Sequence, residues 1–584
     1  MRAEETLRLR KFATVHRFNS RSIARDMYPN TWNIMSNQIK MNPLAILFYI
    51  ALICFSLNGA EVGPIVTLEN GGKIQGRELS SQNGKSFYAF QEVPYAAPPV
   101  GNLRFKDPIE PKPWSDILQT TKNTKICMQL RNNDPRETED CLYLNVYTPA
   151  KDFQTSSLPV YVFLHGGFLF KGESTFERFG PQFLMDYGII LVTLNYRLGA
   201  FGFLSTGDKT IPGNYGLKDQ NLALKWVQKN IKNFGGDPDK VTLGGQSAGG
   251  NSVGHQILSK KSKGLFRAAI QESGSPLCSK MFMKHPRYFA VELAKSFDDK
   301  ITEKSSSADI LDVVVNVSAN DIKNNSDLLI PDDMRNCVGN IGSTVWNPVV
   351  ENQEDGFVKG LMHENFKYGN FSKVPVLIGF NSEEEVAYNL VDTKSKAGYM
   401  DSNNKYMVNG NLNIKDENIL PAGNKLKKIY TDKTFEEDFL SLVKFASDAK
   451  YTIGVCRQIE LQSKFADVYM YQFSYDGLLG RINKSIPGVG HAEELNYLFQ
   501  SRVNSNINEY PPEDLKVQKE LLTLWTNFIK YLDPMSTKKW TKTSGENLVY
   551  MDINNELQLK SNPRYYQKIK EIYNEYAEEI QYTY

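Results

Sequence analysis

V241-T242-L243-G244 runs directly into G245-Q246-S247-A248-G249, and G250-N251-S252-V253-G254-H255-Q256-I257-L258 follows. The first stretch reads as a buried strand, and the last is compatible with a helix. Ser247 thus falls at a strand-to-helix junction, between glycines that tolerate unusual dihedrals and close packing. A serine hydroxyl is a poor nucleophile at neutral pH. It needs a turn that holds it out of the sheet, a base to take its proton, and donors for the developing oxyanion. The plainer reading is a tight turn carrying an ordinary serine, so the decision rests on what the rest of the chain supplies.

V160-Y161-V162-F163-L164 and I189-I190-L191-V192-T193-L194 are core strands by their apolar content. A helical pattern occupies 216–231, where Leu222 faces Trp226 while Ala223, Val227 and Ile231 recur on one flank. Gly235, Gly236, Asp237 and Pro238 stop it before the strand that leads to Ser247. Strand, crossover helix and strand again is the grammar of a mostly parallel sheet. Further strands are predicted over 374–379 and 468–473, with short strands and turns over 63–102. The polar stretch 280–370 is expected to form helices and loops beside the sheet. A terminal helix over 565–576 aligns Ile569, Ile572, Tyr573 and Tyr576 on one face.

Partners for the serine can be sought at the ends of these strands. H165-G166-G167-F168 follows the first of them, and the amides of Gly166, Gly167 and Phe168 are candidate oxyanion donors. The amide of Ala248 joins them at the positive end of the helix after the serine. Of six histidines, His491 stands apart: G488-V489-G490-H491 is a glycine-rich loop before an apolar helix-like run, later in the chain than Ser247. No ligand spacing for a metal accompanies it. A carboxylate should hold the imidazole, and E383-E384-E385 follows the strand at 374–379. The residues alone leave the choice among these three open, with two of them expected to be ordinary solvated acids.

With 41% apolar residues, 584 positions can bury a sizeable core. Lys+Arg of 68 against Asp+Glu of 66, without a block of like charge, argues against nucleic acid or an anionic surface as main partner. The fourteen uncharged residues from Leu44 to Leu57 fall short of the roughly 20 needed to span a bilayer. With Lys40 upstream and Gly59 and Ala60 downstream they read as a signal peptide over 41–60, a membrane anchor being the alternative. Residues 1–40 are expected to be a non-native or disordered extension, and 61–584 a single domain. Asn-x-Ser at Asn316, Asn324, Asn370 and Asn483 offers glycosylation sites, as a secreted, extracellular protein would. Removal of Cys54 with the leader leaves five cysteines, so at least one of them stays free or pairs outside the chain.

Several separated motifs then line up in order: F90-Q91-E92-V93-P94-Y95-A96, R104-F105, E139-D140-C141-L142-Y143-L144-N145-V146-Y147, N195-Y196-R197-L198-G199 and N214-Y215-G216-L217-K218-D219-Q220. With G-Q-S-A-G they make the chain resemble the carboxylesterase type B, or cholinesterase-like, family of α/β-hydrolases. Secreted arthropod esterases, juvenile hormone esterases included, are the most similar in look. The resemblance implies an α/β-hydrolase fold: a large, mostly parallel central sheet flanked by helices, with helical and loop insertions. It also implies hydrolysis of small carboxylic esters through an acyl-enzyme, without metal or organic cofactor. The family's acid pattern, Gly-x-(Asn/Thr)-x-x-Glu-Gly, maps onto Glu384, and its histidine loop matches Gly488, His491, Glu494 and Leu495. The implied catalytic residues are therefore Ser247, Glu384 and His491, with oxyanion donors at Gly167, Phe168 and Ala248. The family's first disulfide maps onto Cys127 and Cys141.

Two departures stand out. Glu385 occupies a position that is glycine in the family, where its carboxylate either alters the setting of the acid or points to solvent. Phe168 replaces glycine or alanine in the oxyanion turn, so Phe168, Leu169 and Phe170 are expected to line a narrowed, apolar pocket. The thirteen residues between Cys127 and Cys141 hold no tryptophan, which argues against a choline ester as substrate. Uncharged, lipophilic esters are the expected class. The rival reading is a catalytically inactive binding or adhesion protein on the same fold, which the two departures favour and the complete triad opposes.

Overall fold

The computed structural model describes residues 62–278, 282–329, 345–386, 395–410, 412–480, 486–535, 540–545 and 547–577. The expected extension, the leader, Asn483 and Cys337 lie outside the described residues. Twelve strands order the main sheet: β1 Val62–Thr67, β2 Lys73–Ser80, β3 Ser86–Pro94, β4 Tyr143–Thr148, β5 Leu158–Leu164, β6 Ile190–Leu194, β7 Gly236–Gln246, β8 Ala268–Glu272, β9 Val376–Asn381, β10 Val468–Phe473, β11 Val549–Ile553 and β12 Leu557–Ser561. Their spatial order is β1-β2-β3-β4-β6-β5-β7-β8-β9-β10-β11-β12, with the short strand Ile117–Gln119 pairing beside β2. From β6 to β11 every neighbour is parallel, while the strands at both edges are antiparallel.

The principal helices are α1 Tyr215–Asn230, α2 Ala248–Leu258, α3 Pro286–Lys295, α4 Ser307–Asn316, α5 Ala319–Leu328, α6 Asp416–Tyr430, α7 Phe439–Ser447, α8 Ile453–Gln462, α9 Pro512–Tyr531 and α10 Tyr566–Tyr576. Helices cover both faces of the sheet, because the central strands are apolar on both sides. Alternation along each strand divides the core in two. From β5, Val160, Val162 and Leu164 join the cluster under α1, α2 and α8, while Tyr161 and Phe163 join the cluster under α9. In β10, Val468 and Met470 take the first side and Tyr469, Tyr471 and Phe473 the second.

The strands expected from sequence are present, with β7 longer than its apolar run, and 280–370 contributes α3 to α5 beside the sheet. Strand β8 and helix α9 had no counterpart in the sequence reading. The motifs that carry the resemblance hold the fold together through ion pairs. Arg197 is buried and pairs with Asp219, its Nη2 2.7 Å from Oδ1 and its Nε donating to Oδ2 at 2.9 Å. Arg104 likewise reaches Glu139.

Candidate active site

Ser247 sits between β7 and α2 with φ 60° and ψ −123°, a conformation that an L-residue holds only when its surroundings fix it. Its N–H donates to the Glu272 carbonyl at 2.7 Å, and its carbonyl accepts from Asn251 N at 2.9 Å. The flanking glycines are needed for space. A Cβ on Gly249 would stand 2.0 Å from the Leu164 carbonyl oxygen, and one on Gly245 would stand 2.6 Å from the Gly249 backbone.

The glycine turn after β5 lies against this elbow. A Cβ on Gly166 would come within 2.9 Å of Ser247 Cβ. Three successive residues there have positive φ: Gly167 at 115°, Phe168 at 56° and Leu169 at 61°. A glycine-rich turn after an earlier strand is the place from which an oxyanion donor is supplied in a hydrolase sheet. The turn is braced from behind, since Phe170 N and Lys171 N donate to the Gly167 carbonyl and Gly199 N donates to the Leu169 carbonyl. His165 stacks on Tyr196, and burial lowers its pKa to about 4, so it stays neutral. Phe168 keeps partial exposure, whereas Leu169 and Phe170 are only 1% and 2% exposed and count among the core.

Glu384 and His491 meet on loops beyond β9 and β10. His491 Nδ1 lies 2.6 Å from Glu384 Oε2, and His491 N donates to the Glu384 carbonyl at 2.9 Å. Asn381 N fixes the other carboxylate oxygen, Oε1, at 2.8 Å. Both loops are joined again where Glu383 N donates to the Val489 carbonyl and where Asn381 Nδ2 donates to the Gly490 carbonyl. The other ring nitrogen, His491 Nε2, lies 3.2 Å from Gln246 Nε2. Gly166, Gly167, Ser247, Ala248, Glu384 and His491 all follow carboxyl ends of neighbouring parallel strands.

The acid triplet differs from expectation in its outer members. Neither Glu383 nor Glu385 is an ordinary solvated acid. Glu385 is 1% exposed, with Oε2 2.9 Å from Lys450 Nζ, so its carboxylate does not point to solvent. Glu383 faces Arg564 at 3.5 Å, and burial raises its pKa. Both cations come from segments far along the chain.

Further carboxyls lie beneath the site. Glu272 at the end of β8 accepts from Trp525 Nε1 at 2.8 Å and from the Tyr161 hydroxyl at 3.3 Å, yet burial raises its pKa to about 7. Glu494 accepts from Asn381 Nδ2; burial, then the charges of Glu272 and Glu384, push its carboxyl well above the usual range. Glu272 carried no sequence signal, and Glu494 was visible only as a motif letter.

Cys127 and Cys141 form a disulfide, while Cys278 and Cys456 are buried thiols. Asn316, Asn324 and Asn370 are exposed. Among the described residues no helix is long and apolar enough to cross a membrane.

A sequence profile of the Carboxylesterase family matches residues 62–572. Juvenile hormone esterase of Tribolium castaneum is 32% identical over 542 residues, covering 86% of this chain and 90% of the relative. Venom carboxylesterase-6 of Apis mellifera is 31% identical over 527 residues, covering 84% and 90%. A crystal structure of juvenile hormone esterase from Manduca sexta, with OTFP covalently attached, superposes with a TM-score of 0.78 at 27% identity, covering 88% of this chain and 99% of that one. Profile, relatives and fold agree: the chain belongs to the carboxylesterase family and is an α/β-hydrolase that hydrolyses carboxylic esters.

Proposed function

We propose that Ser247, His491 and Glu384 carry out this hydrolysis as a nucleophile, a general base and the acid that orients the base. The supporting observation is the 2.6 Å contact of His491 Nδ1 with Glu384 Oε2, with His491 Nε2 3.2 Å from the side chain of Gln246, the residue before a serine on a constrained elbow. Ser247 Oγ attacks the ester carbonyl while His491 Nε2 takes its proton. The negative charge on the carbonyl oxygen meets the N–H groups of Gly167, Phe168 and Ala248, each such donor being worth about 10²–10³ in rate. His491 then protonates the leaving alcohol, and the acyl group stays on Ser247. Water, deprotonated by His491, releases the acid and restores the serine.

The half-buried ring of Phe168 in the donor turn supports uncharged, lipophilic esters over choline esters. Likeness to two juvenile hormone esterases makes a hormone-like methyl ester one candidate in that class. The disulfide, the exposed acceptors at Asn316, Asn324 and Asn370, and the apolar run at 44–57 support a secreted glycoprotein. Its single hydrolase domain would then follow a leader removed near residue 60. The test is turnover of short aryl esters by wild type and Ser247→Ala, both confirmed folded. A drop of about 10³-fold or more is expected. Equal rates would refute the assignment of the nucleophile.

A further inference from the structure

A five-residue π-helical turn, Asp448–Thr452, joins α7 to α8. Such turns insert an extra residue, re-aim side chains and recur at functional positions. This one lays the ring of Tyr451 over His491, with centroids 4.5 Å apart and planes inclined by 32°. Tyr451 is 6% exposed, so the ring has little room to swing away.

The turn is tied to the acid loop. Glu385 N donates to Ser447 Oγ at 3.1 Å immediately before the turn, and Lys450 Nζ meets Glu385 Oε2 at 2.9 Å within it. Arg564 bridges the same two segments, gripping Asp448 in the turn and the Ser382 carbonyl in the loop. The family pattern has glycine where Glu385 stands, so the Glu385–Lys450 tie departs from that pattern.

We propose that Tyr451 is a positioning residue for His491, held over the imidazole by the buried Glu385–Lys450 pair that joins the acid loop to the π-helical turn. This rests on His491 acting as the base. The ring restricts rotation of the imidazole away from the serine, and its π face favours the imidazolium formed during attack. A buried ion pair gives up much of its attraction to desolvation, and its best-attested use is to fix register between segments. Here the register sets where Tyr451 points.

Glu384 from the acid loop contacts His491; its charge, with those of Glu272 from β8 and Glu494 from the histidine loop, acts on Tyr471 of β10, and Glu384 also acts on Cys278 in the loop after β8. The charged groups of the π-helical turn, Asp448 and Lys450, are paired with Arg564 and Glu385. None of them changes in Tyr451 variants, so a pH effect reports the ring.

The experiment measures kcat, KM and the acid limb of kcat/KM for wild type, Tyr451→Phe, Tyr451→Leu, Tyr451→Met, Lys450→Met and His491→Ala. Tyr451→Phe keeps the ring and should stay within about threefold of wild type in kcat. Leu and Met should lose roughly tenfold in kcat with KM little changed, and the acid limb should move about half a unit to lower pH. Lys450→Met should lower kcat in the same direction with the ring intact. Wild-type kcat in the folded Leu and Met variants, or an unmoved limb, would overturn the role of Tyr451. If neither folds, wild-type kcat in Lys450→Met overturns the tie. Activity surviving His491→Ala would instead sink the underlying assignment of the base.

Discussion

Ser247 holds a φ of 60° at the carboxyl end of β7, with its N–H and carbonyl both claimed by neighbours. Two adjacent glutamates differ in role. Glu384→Gln, which forfeits the charge beside His491, should reduce kcat by about 10³–10⁴-fold, as loss of the orienting acid does elsewhere. Glu385→Gln should cost only a few fold, since its partner is Lys450. Steady-state rates on folded variants decide the order, and a larger loss at Glu385 would reverse the assignment. Phe168→Gly should favour branched or long acyl groups over short ones in a substrate panel; a uniform change would place its effect on the oxyanion donors instead. Glu272 gives a stability prediction. Its folded pKa of about 7 lies above the ordinary 4.5, so the folded state binds the proton more tightly. Its contribution is therefore favourable at acid pH and is lost as pH rises from about 4.5 through 7. Glu272→Gln retains an acceptor for Trp525 and should be about 1–3 kcal/mol more stable than wild type at pH 8. The gain should vanish near pH 4, as read by denaturant unfolding.

Elements show why the motif glycines are there. Helix α2 approaches β5 so closely that a methyl on Gly249 would overlap the Leu164 carbonyl. Gly249→Ala should accordingly lower stability by roughly 1–3 kcal/mol and shift the elbow. A thermal midpoint equal to wild type would contradict the packing argument. The same scale shows what a sequence can tell. Strands β5, β6, β9 and β10 were legible because apolar runs bounded by glycine or polar residues have one reading in a parallel sheet. Strand β8 was not: A268-A269-I270-Q271-E272 ends in two polar residues that are nonetheless fully buried. Only tertiary partners, Gln458 for Gln271 and Trp525 for Glu272, make that burial tolerable. The π-helical turn was illegible for a similar reason. D448-A449-K450-Y451-T452 has no period of its own, and its meaning depends on Glu385, 65 positions upstream.

Across the whole molecule, two core clusters fix the sheet between layers of helices, and the site forms where parallel strands end. The proposed nucleophile, the glycine turn and the histidine loop are each marked locally in the sequence by glycine placed beside a chemically active residue. The residues alone do not choose the proposed acid among three successive glutamates, the family pattern points to Glu384, and the pairing of the outer two with Lys450 and Arg564 emerges only in the folded chain. The disulfide closes a loop of thirteen residues, and its removal by Cys127→Ser with Cys141→Ser should cost about 3 kcal/mol in unfolding free energy. The proposed hydrolysis requires covalent chemistry at one serine. Incubation of the folded protein with a phosphonate ester probe, followed by peptide mass spectrometry, should find a single adduct on Ser247 that is lost in Ser247→Ala. Absence of label on Ser247 in active protein, or an adduct of equal yield in Ser247→Ala, would contradict it.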